Sequence, residues 1–235
     1  MRRRRNMLKR YGPWRTVNRL LLNWYRSRFE STANADTFEK TFPATEYKAR
    51  VPVVTVSNIN DQECIATVIR HAPQLIAICG TSVVKPAVFG LAPAGAINIH
   101  TGITPEYRSA DPIFWALYNG DHKNVGVTIH FVDSGIDTGP IIHQASVPVY
   151  GSDTLNSIYV RCIVKGAELY LQTLDEIAAG TVTTIDRSHV KGRAFYSIDI
   201  GILQYMLCRL RFWRLKRHLP PGRPADGGSA TEAQH

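Results

Sequence analysis

Apolar stretches and helical patterns alternate through the middle of the chain. Short apolar stretches rich in β-branched residues predict buried strands over residues 51–56, 74–79, 96–100, 125–132 and 141–149. Between them, apolar positions three and four apart predict helices over residues 61–71, 112–119 and 153–180, with a short helix or turn at 85–89. Apolar strands that alternate with helices are typical of parallel sheets. We therefore expect an α/β fold with a mainly parallel, Rossmann-like sheet, helices on both faces and a hairpin-like pair of strands at one edge.

A basic amphipathic helix is predicted on each side of this α/β region. In the first, over residues 14–28, apolar residues such as Val17, Leu21 and Trp24 recur at spacings of three and four, with arginines between them. The second, over residues 202–217, sets leucine and tryptophan against arginine in the same way. Such a pattern fits a surface helix packed on its own domain. It fits equally a helix that lies on a membrane or a partner.

The positive charge of the chain is concentrated at these two ends. The 235 residues contain 28 Lys and Arg against 19 Asp and Glu, a net charge of +9. Residues 1–28 carry ten basic residues and no acid, and residues 203–218 carry five basic residues and no acid. The body of the chain is therefore mildly acidic, which argues against a nucleic-acid-binding face spread across the fold. Two basic ends suit contact with phosphate, RNA or an anionic lipid surface.

Cysteine usage and the absence of a targeting pattern favour a cytoplasmic protein, with a peripheral membrane location as an extension of that expectation. The four cysteines stand singly, without a Cys-x-x-Cys pair. The arginine-rich start lacks the apolar core of a secretory signal, and no apolar stretch has the length of a membrane span. We divide the chain into a basic helix and linker (1–50), a catalytic domain (51–185), an extension with the second basic helix (186–218) and a disordered tail (219–235).

Two segments carry candidate chemistry. Asn98 and His100 alternate along a predicted strand, so both side chains point to one face at the edge of the sheet where ligands bind. An amide donor beside an imidazole suits acyl transfer, because one group can stabilise an oxyanion while the other handles a proton. The loop from Gly135 to Pro140 holds one carboxylate, Asp137, which could orient the imidazole. The plainer alternatives are a core histidine and a solvated turn.

Taken together, these segments resemble the folate-dependent formyltransferases, a family that includes glycinamide ribonucleotide, methionyl-tRNA and nucleotide-amino-sugar formyltransferases. The resemblance spans residues 98–149 and extends more weakly from Val51 to Thr183. It is carried by the following runs: Asn98-Ile-His100-Thr-Gly-Ile-Thr-Pro105-Glu-Tyr-Arg108, Gly126-Val-Thr128-Ile-His130 and Asp133-Ser-Gly135-Ile-Asp137-Thr-Gly139. The order and the separation of these runs both fit the family.

The resemblance implies a reaction and a role for each matching residue. The formyl group of 10-formyltetrahydrofolate would pass to an amine, with no metal. Asn98 and His100 would hold the carbonyl oxygen, and Asp137 would pair with His100 and manage the amine proton. The implied cofactor-binding residues are Gly80, Thr81, Ser82, Val132, Asp133 and Gly135. The implied substrate-binding residues are Thr101, Gly102 and Arg108, whereas we interpret His130 as structural.

The chain also departs from the family pattern. No apolar β-branched stretch precedes Val51, so the strand, helix and strand that begin the family's fold are expected to be missing. A misplaced gene start, another element or subunit in their place, or a degenerate relative would each account for this. Thr101-Gly102 replaces the usual Pro-Ser, which would suit a different amine. We expect no counterpart of the β-barrel domain of the transfer-RNA enzymes.

These departures lead us to rank the expected acceptor substrates. An amino sugar linked to a nucleotide or a lipid comes first, followed by glycinamide ribonucleotide or methionyl-tRNA. A hypothesis of another class is a catalytically inactive relative that serves as a binding or scaffold module. The expected partner is a small-molecule amine, without a stable nucleic-acid partner. A membrane surface and a second copy of the chain are further candidate partners.

Overall fold

A four-stranded sheet, in the order β1-β2-β4-β5, positions the rest of the structure. The computed structural model describes residues 11–29, 51–187 and 189–222. A separate pair of very short strands, β3 and β6, lies outside this sheet. The strands are β1 (Ile76–Cys79), β2 (Ala96–His100), β3 (Arg108–Ser109), β4 (Gly126–Phe131), β5 (Ile141–Ser146) and β6 (Ala194–Phe195).

The helices form where the apolar periodicity predicts them, with ends shifted by a few residues. The α-helices are α1 (Pro13–Phe29), α2 (Gln62–His71), α3 (Pro86–Phe89), α4 (Pro112–Tyr118), α5 (Leu155–Ala178) and α6 (Ile202–Leu215). Single 3₁₀ turns occupy His122–Asn124, Ser197–Asp199 and Lys216–His218. The start of α5 has a reciprocal cap, because the Ser157 amide donates to Thr154 Oγ1 while the Thr154 amide donates to Ser157 Oγ. Most of the predicted linker and most of the predicted tail lie outside the described residues.

The pairing of the strands confirms the α/β class and makes the sheet mixed. β1 and β2 pair in parallel, whereas β2 pairs with β4, and β4 with β5, in antiparallel fashion. The predicted hairpin-like edge is therefore present as β4 and β5. Within this sheet the expected parallel pairing holds for one of the three strand pairs.

Residues 51–56, predicted as a buried strand, form no strand in the structure. The side chains of Val51 and Val54 are more than half exposed, and that of Val53 is 71% exposed. A strand is stabilised by a neighbouring ladder and by burial of its apolar side chains. Within the described residues this segment has neither, so its β-branched composition does not produce a strand.

One face of the sheet packs on the long helix α5. Ile97, Val127 and Ile129 are fully buried there, in contact with apolar side chains of α5. Gly166 lets the helix approach closely, since a Cβ at this position would lie 2.8 Å from the Ile99 side chain. The apolar residues of β2 and β4 therefore fix the sheet against α5 and leave the alternate residues on the opposite face.

The terminal helices α1 and α6 belong to a second core, which they share with α4. Leu22 of α1, Leu117 of α4 and Phe212 of α6 lie in one buried cluster. Asn18 of α1 accepts a hydrogen bond from the Ile202 amide at the start of α6. The inner faces of both helices are thus packed on the chain's own domain, as one of the two sequence interpretations expects.

Candidate active site

The register of β2 and β4 brings polar side chains together on the face opposite α5. Asn98 and His130 are directly opposite each other in the antiparallel ladder. Asn98 Nδ2 lies 3.2 Å from His130 Nε2. His100 lies two residues further along the same face of β2 and is buried. The predicted pairing of Asn98 with His100 on one face is therefore present, and His130 joins them.

Asp137 reaches this group from the loop between β4 and β5. Its Oδ2 accepts a hydrogen bond of 2.8 Å from the Ser109 amide and lies 3.5 Å from His100 Nδ1. Its Oδ1 lies 3.4 Å from both Asn98 Nδ2 and His130 Nε2. The backbone of Asp137 has a φ of +50°, which is unusual for a residue other than glycine. The loop holds this conformation and directs the carboxylate onto all three side chains.

Backbone carbonyl groups set the orientation of both imidazole rings. His100 Nε2 lies 2.8 Å from the Tyr107 carbonyl oxygen, and His130 Nδ1 lies 2.7 Å from the Phe131 carbonyl oxygen. A carbonyl oxygen only accepts, so each of these nitrogens carries hydrogen. In the neutral rings, His100 Nδ1 and His130 Nε2 are then the basic nitrogens. The first faces Asp137, and the second can accept the hydrogen bond from Asn98.

Burial and charge act in opposite directions on this cluster. Burial lowers the pKa of His100, and the neighbouring Asp137 carboxylate only partly opposes that effect. For Asp137, burial raises the pKa, but the interactions with His130 and His100 and the hydrogen bond from the Ser109 amide together outweigh it and lower the pKa. A neutral imidazole beside an ionised carboxylate is therefore favoured near neutral pH.

A cavity of about 1000 Å³ opens onto this cluster. Asn98, His100, His130 and Asp137 form part of its wall. The residues predicted to bind the cofactor or substrate that also line it are Gly80, Thr81, Ser82, Thr101, Val132, Asp133 and Gly135. Tyr11, Arg15 and the turn from Tyr196 to Asp199 complete the rim. The structure thus gathers most of the sequence-predicted site around one space.

Gly102 and Arg108 are placed differently from the other predicted residues. Gly102 is buried below His100, where a Cβ would lie 2.7 Å from His100 Nε2. Gly102 therefore does not line the main cavity, because the close packing that requires glycine is internal, and its contact with substrate stays a prediction. Arg108 lines a separate cavity of about 520 Å³, which it shares with Asp137.

A polar network below the site supports the loop that follows His100. Thr128 Oγ1 donates to the Gly102 carbonyl oxygen at 2.6 Å and accepts from the Thr104 amide at 3.2 Å. Gln144 on β5 donates to the Thr104 carbonyl oxygen at 2.7 Å. These bonds join the loop to β4 and β5, and the loop carries the Tyr107 carbonyl that orients His100.

Sequence reasoning treated His130 as structural and missed its contacts within the site. The missing information was the strand register, which aligns His130 with Asn98. The alternation of Thr128 and His130 along β4 was a usable signal, because it repeats the polar alternation of Asn98 and His100. In the described parts of the chain, no group of three His, Cys, Asp or Glu residues could hold a metal ion.

The chain belongs to the formyl transferase family. A family model described as Formyl transferase matches residues 29–174, which is more than half of the chain. The resemblance carried by residues 98–149 is thereby confirmed. The boundaries that we assigned to the domains stay predictions.

Individual relatives show the breadth of this similarity. The chain is 32% identical over 145 residues to a methionyl-tRNA formyltransferase of Pelotomaculum thermopropionicum, covering 61% of this chain and 46% of that protein. It thus spans about half the length of the curated relatives that it matches. A sugar N-formyltransferase from Shewanella sp FDAARGOS_354 has a TM-score of 0.54 at 24% identity, covering 66% of this chain and 65% of that chain.

A further solved structure supports the same fold. WlaRD, a sugar 3N-formyl transferase solved in the presence of dTDP and 5-N-formyl-THF, has a TM-score of 0.56 at 17% identity. The match covers 88% of this chain and 78% of WlaRD. At these identities the two solved structures establish the formyltransferase fold alone.

Proposed function

We propose that the chain transfers a formyl group from 10-formyltetrahydrofolate to the primary amine of an amino sugar linked to a nucleotide or a lipid. The observation that carries this proposal is the convergence of Asn98, His100 and Asp137 on one cavity in a member of the formyl transferase family. Asp137 lies 37 residues after His100 in the sequence, yet it is within 3.5 Å of both His100 and Asn98.

The volume of the cavity supports the proposal that a folate and an acceptor bind there together. Its volume of about 1000 Å³ lies at the upper end of the range for small-molecule sites. Gly80, Thr81 and Ser82 would hold the donor from the end of β1, and Val132 and Asp133 would hold it from the end of β4. When bound, 10-formyltetrahydrofolate supplies the formyl carbon as the electrophile.

Asn98 is suited to stabilise the oxygen of the formyl group. Its Nδ2 carries two N–H groups on the cavity wall. One is held by His130 Nε2 at 3.2 Å, and the other, whose contact with Asp137 Oδ1 is long at 3.4 Å, can turn to the formyl oxygen. A fixed donor of this kind stabilises negative charge that develops on a carbonyl oxygen, and its loss costs about 3 kcal/mol in the transition state. Neutral His100 has no N–H left for this oxygen, because its Nε2 hydrogen is bound to Tyr107. We therefore assign the oxygen contact to Asn98.

Asp137 and His100 are suited to remove the proton from the acceptor amine. The nitrogen of the acceptor gains a bond to the formyl carbon and loses one proton, while the donor nitrogen loses that carbon and gains one proton. The ionised Asp137 carboxylate attracts the positive charge on the attacking nitrogen. Its Oδ2 faces His100 Nδ1, so a proton taken by the carboxylate can be shared with the ring at Nδ1.

Methionyl-tRNA is a second candidate acceptor, because the curated relatives at this level of identity are methionyl-tRNA formyltransferases. A small amine such as glycinamide ribonucleotide would use the same groups. The acceptor panel of the assay below therefore contains all of these. An inactive scaffold would modify none of them.

The proposal is tested by incubating the purified chain with 10-formyltetrahydrofolate and a panel of amines. The panel comprises nucleotide-linked and lipid-linked amino sugars, glycinamide ribonucleotide and methionyl-tRNA, with mass spectrometry of the products. We expect formylation of an amino sugar, and a loss of at least about a hundredfold in kcat/KM for His100→Ala and for Asp137→Ala.

The matched control is His143→Ala, because His143 is a partly buried histidine paired with Glu176 away from the cavity. It should keep near-normal turnover. Formylation of methionyl-tRNA alone would replace the amino-sugar acceptor and keep the chemistry. Near-normal turnover in either site variant would contradict the assigned roles.

A further inference from the structure

The outer faces of α1 and α6 are apolar, although their inner faces are buried in the core. Trp14 at the start of α1 is 68% exposed, and Trp213 near the end of α6 is 53% exposed. On each helix, exposed apolar residues recur three or four positions apart and therefore lie along one face. The exposed apolar residues that recur at this spacing are Trp14, Val17, Leu21 and Trp24 on α1, and Leu203, Met206, Leu207, Leu210 and Trp213 on α6. We call these nine residues the outer stripe.

The two parts of the outer stripe lie on neighbouring helices. Asn18 of α1 contacts Gln204 and the Ile202 amide of α6, and Tyr25 packs on the ring of Tyr205. Exposed apolar patches larger than a few hundred Å² are rare on monomeric proteins and mark interaction sites. Exposed tryptophan and leucine side chains on two adjoining helices therefore indicate an interaction surface.

The charge around the outer stripe is positive. Neither α1 nor α6 contains an acidic residue, whereas α1 carries four arginines and α6 carries three. Lys216 and Arg217 follow directly in the 3₁₀ turn after α6. Their cationic groups lie over the rings of Phe212 and Trp213, at 4.8 Å and 3.8 Å from the ring centroids. Cations are thus held beside the apolar side chains, as in helices that lie on membrane surfaces.

Both helices begin at the rim of the main cavity. Tyr11 and Arg15 line that cavity beside Trp14, and Arg15 forms an ion pair of 3.3 Å with Asp199. Asp199 ends the turn that precedes α6. A surface bound along the outer stripe would therefore lie next to the mouth of the candidate active site.

The combination of apolar and basic side chains favours one kind of binding partner over the others. Two copies of the chain joined through this surface would bring like charges together, which opposes association. RNA would satisfy the arginines but would leave the leucine and valine side chains without an apolar partner. An anionic bilayer offers acyl chains to the stripe and negative headgroups to the arginines. In the part of the chain that the structure describes, no helix has the length and apolarity needed to cross a membrane.

We propose that the outer faces of α1 and α6 form a docking surface for an anionic lipid bilayer. The chain binds peripherally, with tryptophan and leucine side chains inserted between the headgroups and arginines in contact with them. The docked chain holds the mouth of its cavity close to the membrane surface. This surface does not depend on the proposed formyl transfer, since binding can be measured without turnover.

The test is sedimentation of the whole chain with vesicles of phosphatidylglycerol and phosphatidylcholine in equal parts, against phosphatidylcholine alone. We expect binding to the anionic vesicles that weakens as salt is added, and binding at least about tenfold weaker to the neutral ones. A blue shift of the tryptophan emission should accompany binding, because Trp14, Trp24 and Trp213 enter a less polar environment.

Two pairs of matched variants separate the apolar from the electrostatic contribution. Trp24→Glu combined with Leu210→Glu should lower the affinity at least about tenfold, whereas Leu171→Glu, on an exposed site of α5, should not. Arg28→Glu should weaken binding about tenfold more than Lys123→Glu, an exposed lysine outside both helices. Circular dichroism and the melting temperature show whether each variant is folded.

Several results would overturn the proposal. Absence of vesicle binding at low salt would do so, as would equal binding to neutral and anionic vesicles. Unchanged binding of the Trp24 and Leu210 variant would leave only a non-specific electrostatic contact. A dimer in solution that this same variant dissociates would assign the surface to a second copy of the chain.

Discussion

Strands β2 and β4 each have one apolar face and one polar face, and both faces are buried or nearly so. On the α5 face, Ile97 and Ile129 pack in an apolar cluster. On the cavity face, Asn98, His100 and His130 take the alternate positions. Burial of polar groups adds little stability even when they are hydrogen-bonded. The comparison indicates that one face of these strands stabilises the fold, whereas the other carries the polar groups of the candidate active site.

The largest expected effect is on the stabilising face. Ile129→Ala removes a fully buried side chain from the α5 face and should lower the free energy of unfolding by about 2–5 kcal/mol. Turnover per folded molecule should change little, because Ile129 does not line the cavity. Urea unfolding followed by circular dichroism measures the first effect, and the steady-state assay measures the second.

Leu171→Ala is the control, since Leu171 lies on α5 but is 64% exposed. It should shift stability by no more than about 0.5 kcal/mol. If Ile129→Ala lowered turnover as strongly as a change on the cavity face, the two faces would not be separable in function.

A smaller effect is expected at His130, on the cavity face of the same strand. His130→Ala removes the acceptor that holds the Asn98 amide, so kcat should fall about tenfold, with little change in KM. His130→Gln should restore part of the loss, because its side-chain oxygen can accept the same hydrogen bond. An equal loss in both variants would indicate that His130 acts through the packing of the strand, as the sequence interpretation held.

The contrast between the faces also shows what the sequence could predict. The α5 face and most helices follow from apolar periodicity, and Asn98, His100 and Asp137 follow from the family motifs. The contact of His130 does not, because it depends on a register set by the whole sheet. The apolar composition of residues 51–56 predicted a strand, but strand formation requires a neighbour that local sequence does not supply.

The smallest expected effect is on pH dependence. Burial lowers the pKa of His100 in the folded chain, so the unfolded chain takes up a proton first as the pH falls below about 6.5. The contribution of His100 is therefore fully present above that pH and is lost as the pH falls toward the folded-state value. Unfolding in urea at several pH values should show a stability loss below about pH 6.5 that is reduced in His100→Gln.

His71→Gln, a change of an exposed histidine, is the matched control and should leave the pH dependence as in the wild type. Asp137 contributes at lower pH, because its lowered pKa stabilises the folded chain above the carboxylate's unfolded value of about 3.9. An identical slope in the wild type and in His100→Gln would contradict the buried, neutral state of this ring.

The most direct measurement is a double-mutant cycle of kcat/KM on Asn98→Ala, Asp137→Ala and their combination, with the acceptor found in the panel. Groups that act as a unit on one reacting centre give strongly non-additive losses. We predict that the kcat/KM of the double variant is no more than about threefold lower than that of the less active single variant. Losses that multiply, or a wild-type chain that formylates no amine at all, would contradict the account.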